Sequence, residues 1–279
     1  MSVLRSTGLV AAPLSTVGAA LRHTRTAEEG LRELGIRGSA LTGAAELLVP
    51  GDDLAFRLEK APWARLRTRV VRADAGRLES VLIAGPLREL RHESVLAEAG
   101  DHTLLTDSLR WTTPFGPLGR AIDVAIGRRV VLAVLARRLR EVGALAESWA
   151  ARPIVVGTAI TSDGRLLVQQ RRFPARDAGC WELPGGRVEP GETEQDAVVR
   201  ECKEELDVEV VPTGRLGTDV PLRNGMLLRV HTAEPAEGGF APRAVEHRAV
   251  RWAGAGELGD LDWLEADRVL VHSLRELLD

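Results

Sequence analysis

Apolar and polar residues alternate along much of the first half of the chain, with the period of two that is typical of β-strands. Four such stretches follow one another at residues 64–74, 76–85, 88–100 and 101–113. The turn sequences ADAGR and EAGDH separate neighbouring stretches. We therefore expect four antiparallel strands joined by tight turns.

Helices are expected on both sides of these strands, the first of them around Pro13–Leu34. Over residues 119–149, apolar side chains recur every three to four positions with arginines between them, which predicts a long helix. This pattern stops at the sequence AARP, and the β-rich IVVGTAI follows. A domain boundary is therefore expected between Glu147 and Pro153. The two predicted domains are residues 1–149 and 150–279.

The chain has 279 residues, of which 44% are hydrophobic, so each half can bury a core. No run of roughly eighteen apolar residues appears, which argues against a membrane span, and the N-terminus lacks the pattern of a signal peptide. The two cysteines are too few for a disulfide framework or a four-cysteine zinc site. We expect a cytoplasmic protein.

Charge is distributed unevenly between the two halves. Residues 1–150 contain 21 basic and 17 acidic residues, a net charge of +4, and the remainder contains 16 and 23, a net charge of −7. An acidic domain without a basic-aromatic surface is a poor binder of nucleic acid. It can bind a polyanion when a divalent cation stands between the two.

The second half begins with a predicted β-hairpin, whose turn is Ser162-Asp163-Gly164, and continues into a glycine-rich loop. Thr193 is a suitable N-cap for the helix that follows this loop. On that helix, Val198, Cys202 and Leu206 recur every four residues. We expect them to form an apolar stripe that faces the core.

The sequence GGRVEPGETEQDAVVRECKEEL, residues 185–206, contains seven carboxylates. Three of them, Glu201, Glu204 and Glu205, have the i, i+3, i+4 spacing that places side chains on one side of a helix. Oxygen ligands of this kind suit Mg²⁺ or Mn²⁺, which bridge to substrate phosphates. The alternative interpretation is an ordinary solvated helix face.

The order of residues favours the first interpretation. Gly186, Glu192 and the run RECKEE (200–205) are separated by five and by seven residues. This spacing resembles the signature of the Nudix (MutT-like) hydrolases, and the resemblance covers about residues 152–279. Two positions depart from the family pattern: Cys202 replaces an aliphatic residue and Asp207 replaces a glycine. Because Asp tolerates left-handed backbone, we expect a slightly strained helix end and an intact site.

The resemblance implies an α/β/α sandwich that hydrolyses a nucleoside diphosphate linked to another group. Glu201 and Glu205 would then be the main metal ligands, and Glu204 would share this catalytic task. Arg200 would orient these glutamates by ion pairing. The cation expected is Mg²⁺, with Mn²⁺ as an alternative.

Other residues take their expected roles from the same resemblance. Glu192 would tie the loop to the helix, and the backbone of Gly185 and Gly186 would face the metal-bound pyrophosphate. Glu246, six residues before Trp252 in EHRAVRW, would be the general base or an additional metal ligand; its alternative is an exposed loop acid. We expect its neighbour His247 to be solvated.

The substrate class is suggested by the sequences QQRR and CWELPGG, which resemble the branch that acts on nucleoside triphosphates. Asp267 lies in a C-terminal segment that resembles the base-binding turn and helix of that branch, and Arg172 and Glu182 would line the same pocket. The reaction expected is hydrolysis of a triphosphate to NMP and pyrophosphate. An oxidised purine such as 8-oxo-dGTP, or a pyrimidine such as CTP, would supply the base.

The first half, over roughly residues 3–148, resembles the START-like (SRPBCC, polyketide cyclase) superfamily. The resemblance implies a helix-grip fold, in which an antiparallel sheet surrounds a long C-terminal helix, and an apolar small-molecule ligand. Trp111, Phe115 and the pair Pro114/Pro117 would line the cavity mouth, unless they are ordinary core and turn residues. The whole chain would thus combine an α+β domain with an α/β domain.

Two further function classes remain open from the sequence. The START-like domain could be the main actor, as a carrier or cyclase, with the Nudix domain acting on another nucleoside diphosphate derivative. The Nudix domain could also sense nucleotide without catalysis, although the complete glutamate set argues against this. His92 and Glu93 do not form a catalytic pair, because adjacent side chains on a strand face opposite ways. The oligomeric state is not indicated by the sequence.

Overall fold

The computed structural model describes residues 1–29, 31–41, 46–114, 116–117, 119, 123, 127–236 and 240–279. The chain divides into two compact units, Met1–Ala151 and Arg152–Asp279. Each unit contains its own seven-stranded sheet. None of the helices in the described ranges combines the length and apolar character that a membrane crossing requires.

The sheet of the first unit is antiparallel throughout. Its strands have the spatial order β1-β7-β6-β5-β4-β3-β2. The strand bounds are β1 Ser2–Val10, β2 Ile36–Leu41, β3 Asp53–Leu58, β4 Ala61–Ala73, β5 Arg77–Ala84, β6 Glu89–Ala99 and β7 His102–Thr112. The four strands that the alternating pattern predicts are therefore confirmed as β4 to β7.

Three strands of this sheet were not predicted from the sequence. Along β1, inward and outward positions alternate, but they carry small residues such as Ser and Gly as often as large apolar ones. Strand β1 is held instead by β7, with which it pairs over nine residues. Pairing between segments about 100 residues apart cannot be read from local periodicity.

The helices of the first unit are α1 Leu14–Arg22, α2 Thr24–Glu28 and α3 Arg128–Trp149, and Arg32–Leu34 forms a 3₁₀ turn. The single early helix expected around Pro13–Leu34 is wrong, because His23 has an extended backbone and its Nδ1 accepts a hydrogen bond from the Arg25 amide at 3.2 Å. Helix α3 packs on β1, β7 and α1. Its fully buried residues Leu135, Val142 and Ala146 form the stripe that faces the core.

Trp111, expected near a cavity mouth, is a buried core residue. Its indole Nε1 donates to Asp123 Oδ1 at 2.6 Å, and the Trp111 side chain has 3% of its surface exposed. Phe115 and residues 120–122 and 124–126 of the predicted long helix lie outside the described residues.

A charged cluster lies between strands β6 and β7 and helix α3. The Asp107 carboxylate is 1% exposed, and it contacts His92 Nε2 at 3.2 Å and Arg138 Nε at 3.5 Å. Ser94 also donates a hydrogen bond to Asp107. Burial raises the pKa of Asp107, but the charge of Arg138 and the bonds from His92 and Ser94 outweigh it and lower that pKa to about 2. His92 thus pairs with Asp107, not with Glu93.

The second unit contains a mixed sheet, ordered β10-β9-β8-β13-β12, in which β11 pairs with β8 and β14 with β9. Strands β8 and β13 are parallel. The strand bounds are β8 Ile154–Ser162, β9 Arg165–Gln170, β10 Trp181–Glu182, β11 Gly185–Arg187, β12 Val210–Pro221, β13 Leu227–Pro235 and β14 Ala249–Gly254. Since consecutive residues of β8 and β9 are buried, both faces of the sheet are covered.

Helix α4 spans Glu194–Leu206 and packs on β8, β11 and β12. The predicted N-cap is confirmed: Thr193 and Asp196 form a reciprocal capping box. The predicted apolar stripe is also confirmed, since Val198, Cys202 and Leu206 are fully buried. Two short helices, α5 Glu265–Arg268 and α6 Val271–Leu278, follow β14.

The C-terminal end of α4 explains how Asp207 replaces a glycine. Asp207 has a left-handed backbone with φ of 54°, and its amide donates to the Lys203 carbonyl at 3.1 Å. Its carboxylate forms ion pairs with Lys203 and Arg243. These contacts offset the strain of a positive φ in a residue that has a side chain.

We expect Asp107→Asn to lower the free energy of unfolding at pH 7 by about 3 kcal/mol, because it leaves the largely buried Arg138 side chain, 13% exposed, without its counter-charge. The low pKa of Asp107 stabilises the folded state above about pH 4, and this contribution disappears as pH falls through about 2. Urea unfolding of the full chain between pH 7 and pH 2.5 should therefore show the two proteins converging in acid. Asp101→Asn, in an exposed turn, serves as the control; a wild-type advantage independent of pH would contradict the assignment.

Candidate active site

Two glycines bring the loop backbone of the second unit against helix α4. Gly185 has φ of 154°, and a Cβ on it would lie 2.0 Å from the Val156 carbonyl oxygen. A Cβ on Gly186 would lie 2.1 Å from Glu201 Oε1. Neither position can hold a side chain without moving its neighbours. The Glu201 carboxylate therefore lies directly against the main chain of Gly186.

Arg200 connects the loop to the carboxylates of the helix. Its guanidinium donates to both oxygens of Glu192, at 2.8 and 3.0 Å, and to Glu201 Oε1 at 2.9 Å. It also reaches Glu204 Oε2 at 3.1 Å and the Arg187 carbonyl at 2.9 Å. Hydrogen bonding with Glu192 is the largest cause that raises the pKa of Arg200, and Arg200 in turn lowers the pKa of Glu192. One cation thus holds three carboxylates.

Glu205 points away from this group and is 8% exposed. Its Oε2 accepts hydrogen bonds from Gln169 Nε2 at 2.8 Å and from the Gly185 amide at 2.9 Å. Burial raises the pKa of Glu205 well above the usual range of a glutamate, in spite of these bonds and of the nearby His247. Burial is also the largest cause that raises the pKa of Glu201. Both carboxylates are therefore stabilised when a bound cation or a proton neutralises their charge.

His247 lies between two buried carboxylates, so the expectation that it is solvated is wrong. Its Nε2 is 2.9 Å from Glu182 Oε1, and its Nδ1 is 3.7 Å from Glu205 Oε1. Arg171 forms an ion pair with the other oxygen of Glu182. The contacts that hold His247 in the site are thus made by Glu182 and Glu205, which lie 65 and 42 positions earlier in the chain.

Gln169, His247 and Arg171 were not identified as site residues from the sequence. Gln169 carries no distinct signal in the sequence, since it only follows the apolar residues 166–168 of strand β9 and precedes a second glutamine; the structure shows that it is 1% exposed. The adjacent Arg171 and Arg172 could not be told apart by sequence. The structure brings Arg171 to Glu182, whereas Arg172 is exposed and its guanidinium lies 5.8 Å from the centre of the Phe173 ring.

Asp267 lies close to Glu182, where the resemblance predicted a shared pocket. Its Oδ1 accepts a hydrogen bond from the Leu183 amide at 3.1 Å, and the residue is 4% exposed. The segment that carries Asp267 is anchored to strand β10 by bonds between Trp181 and the backbone of Asp262 and Leu264, each of 2.8 Å. Burial, followed by the charge of Glu182, raises the pKa of Asp267 to about 7.

Glu246 is exposed, and no ion pair or hydrogen bond among the described residues involves its carboxylate. The structure therefore does not bring Glu246 to Glu201, Glu204 or Glu205, whereas it brings the neighbouring His247 to Glu205. Its role as general base or additional metal ligand stays a prediction.

The donor chemistry of the α4 carboxylates fits a hard divalent cation, because every candidate ligand is an oxygen. Within the described ranges, no group of three or more His, Cys, Asp or Glu side chains is gathered closely enough to hold a metal ion. The reason is visible in the contacts: Glu201 and Glu204 turn towards Arg200, whereas Glu205 turns towards Gln169. A cation would have to draw the first two away from Arg200.

We expect Asp267→Asn to stabilise the protein relative to wild type at alkaline pH and much less in acid. Because the pKa of Asp267 is raised in the folded state, its ionisation destabilises that state. The free energy of unfolding of wild type therefore decreases as pH rises from about 4 to about 7. The difference in free energy of unfolding should grow by up to about 4 kcal/mol over that interval. Urea unfolding at pH 4.5 and 8 measures it, with exposed Asp260→Asn as the control. A difference that does not change with pH would show that Asp267 ionises normally.

Comparison with known proteins identifies this unit. The NUDIX domain model matches residues 151–274. A putative 8-oxo-dGTP diphosphatase 2 of Mycobacterium tuberculosis is 43% identical over 129 residues, which cover 45% of this chain and 90% of that protein. The CTP pyrophosphohydrolase of Escherichia coli is 31% identical over 123 residues, covering 44% of this chain and 91% of the relative.

Among solved structures, a MutT NUDIX hydrolase from Burkholderia pseudomallei is 32% identical, with a TM-score of 0.37 over 44% of this chain and 97% of the other. The sequence relatives are matched over nine tenths of their length, and the matched region contains the glycine loop, Arg200 and the glutamates of α4. The chain therefore belongs, through its second unit, to the Nudix family of hydrolases, which act on phosphoric anhydride bonds.

Proposed function

We propose that the second unit hydrolyses a nucleoside triphosphate to a nucleoside monophosphate and pyrophosphate. The observation that carries the proposal is the placement of Glu201 and Glu205 on helix α4 beside the main chain of Gly186 and Gly185, with Glu204 held on the same helix by Arg200. The names of the two relatives, one a diphosphatase and one a pyrophosphohydrolase, support this reaction class.

Nudix hydrolases generally use a divalent metal, and we propose Mg²⁺, with Mn²⁺ as a substitute. Glu201, Glu204 and Glu205 would hold it; when bound, such a cation neutralises phosphate charge and lowers the pKa of water. The chain itself positions the ligands. Arg200 fixes Glu201 and Glu204 on one side, and Gln169 with the Gly185 amide fixes Glu205 on the other.

Proton transfer has two nearby candidates in the chain. We keep Glu246 as the proposed general base, because an exposed and unpaired carboxylate next to the site can turn towards a bound substrate. His247 has a different role in the proposal. Its hydrogen bond with Glu182 and its contact with Glu205 hold the loop that carries Glu246.

The base of the nucleotide would be recognised near Asp267, with Glu182 in the same pocket; the predicted role of Arg172 there would require its exposed side chain to turn inwards. A carboxyl with a pKa of about 7 can donate a hydrogen bond to a carbonyl of a base, or accept one from an amino group after ionisation. An 8-oxo-dGTP-like purine and a CTP-like pyrimidine both offer such groups. The relatives' names point to the same two substrates.

Hydrolysis should be measured with Mg²⁺ on the common (d)NTPs, 8-oxo-dGTP, CTP, ADP-ribose and a dinucleotide, by chromatography of the nucleoside monophosphate for every substrate and by pyrophosphate release for the triphosphates. We expect turnover of a triphosphate, a loss of about 100-fold or more in kcat for Glu205→Gln, and no activity in excess EDTA. Glu209→Gln, an exposed acid just beyond the same helix, is the matched control. Turnover of ADP-ribose or the dinucleotide alone would exclude the triphosphate assignment while keeping the family chemistry.

A second prediction concerns the close approach of the loop to the helix. Gly186→Ala would place its Cβ 2.1 Å from Glu201 Oε1 and displace that carboxylate. Because displacements of about 1 Å cost about 100-fold in rate, kcat should fall by about that factor while the circular dichroism spectrum stays unchanged. Gly256→Ala, whose Cβ would meet open space, should keep full activity. Equal activity of the two variants would mean that Glu201 does not need its present position.

For the first unit we propose a START-like ligand-binding domain, on the basis of its antiparallel sheet and the packing of α3 against it. A cavity beside strands β2 to β4 of this unit does not support the expected apolar ligand, because charged side chains form much of its wall. The arginines in this wall favour an anionic ligand over an apolar one.

A further inference from the structure

A cavity of about 570 Å³ lies in the first unit, beside strands β2, β3 and β4. Its volume is within the usual range for sites that bind small molecules. Five arginines line it together with the partly buried Phe56: Arg32, Arg37, Arg57, Arg65 and Arg67. The cavity is therefore cationic and not apolar.

The strand register explains why the arginines face the same space. Arg37 of β2 is directly opposite Arg57 of β3, which is directly opposite Arg65 of β4. Residues opposite one another in neighbouring antiparallel strands project from the same face of a sheet. In the next row of that face, Arg67 is opposite Ala55. Three arginines thus form one unbroken row across three strands.

Carboxylates neutralise only part of this charge. Arg37 pairs with Glu59 at 2.7 Å, and Arg67 pairs at 2.9 Å with Asp53, which Arg69 shares at 2.8 Å. Among the described residues, no carboxylate forms an ion pair with Arg57, Arg65 or Arg32. Like charges directly opposite one another in a sheet are destabilising.

The acid in the cavity wall is Glu28. Its Oε1 accepts a hydrogen bond from the Ala40 amide at 3.2 Å, so it contributes to the packing of α2 on β2. With Glu59 and Asp53 it makes three carboxylates against five guanidinium groups. The cavity wall therefore keeps a net positive charge, which a bound anion would neutralise.

We propose that the first unit binds a small phosphate-bearing polyanion in this cavity. The guanidinium group of an arginine can donate two parallel hydrogen bonds to the oxygens of one phosphate. A row of three arginines across adjacent strands spans about 10 Å, which matches a ligand whose negative charge lies on more than one phosphate. A lipid-like ligand would instead cover guanidinium groups without pairing them, which is costly.

The proposal does not depend on the hydrolase activity and is tested without it. The full chain is titrated calorimetrically in excess EDTA with inorganic phosphate, pyrophosphate, ADP and citrate. We expect pyrophosphate or ADP to bind at one site per chain, more tightly than phosphate or citrate, and more weakly as KCl is raised. Glu205→Gln should bind like wild type, which separates this site from the one on α4.

The double variant Arg57→Gln/Arg65→Gln should weaken binding by at least 10-fold, while Arg5→Gln, an exposed arginine on β1 of the same sheet, should not change it. Without ligand, the double variant should unfold at a temperature no lower than wild type, because it loses repulsion and no ion pair. Arg57→Gln alone is the second variant, for which a smaller loss of affinity is expected. These variants should leave hydrolysis of the substrate unchanged.

Three results would overturn the proposal. The first is absence of metal-independent binding of phosphate, pyrophosphate and ADP to wild type. The second is equal affinity of wild type and a folded double variant. The third is tighter binding of citrate than of pyrophosphate, which would replace phosphate by carboxylate as the recognised group.

Discussion

The ion pairs of Arg200 are the interaction on which the geometry of the second unit depends. Three glutamates within one turn and a half of helix repel one another, and repulsion of this kind normally spreads side chains into solvent. Here Arg200 holds Glu201 and Glu204 on one side and fastens the loop through Glu192 and the Arg187 carbonyl. The same guanidinium therefore fixes both the carboxylates and the loop that would face a phosphate.

The glycine loop and the helix constrain each other through this contact. Gly186 is close to Glu201 because Arg200 holds the loop against α4, and Glu201 can stay there because Gly186 has no side chain. Glu205 is fastened independently, through strand β9 and the Gly185 amide. The carboxylates of one helix therefore have two separate anchors, Arg200 for Glu201 and Glu204, and Gln169 with the Gly185 amide for Glu205.

Local sequence was sufficient for those parts of the fold that rest on local interactions. The capping box of α4, its apolar stripe and the four strands β4 to β7 follow from spacing alone. The contacts of Glu205 with Gln169 and of Glu182 with His247 span 36 and 65 residues. No periodicity encodes such contacts, and so His247 was expected in solvent. Strand β1 was missed for the same reason, since its partner β7 lies at the other end of the unit.

Two of the buried aspartates, Asp107 and Asp267, show how the partners of a buried acid determine what it can do. Asp107 is surrounded by Arg138, His92 and Ser94, which hold it ionised and make it a structural anchor. Asp267 accepts a hydrogen bond from the Leu183 amide, but its burial and the negative Glu182 outweigh this bond and the charge of Arg171, so it keeps its proton up to about neutral pH. A group of this kind can both donate and accept a hydrogen bond, and this is the property on which the proposed role of Asp267 in recognising the base rests.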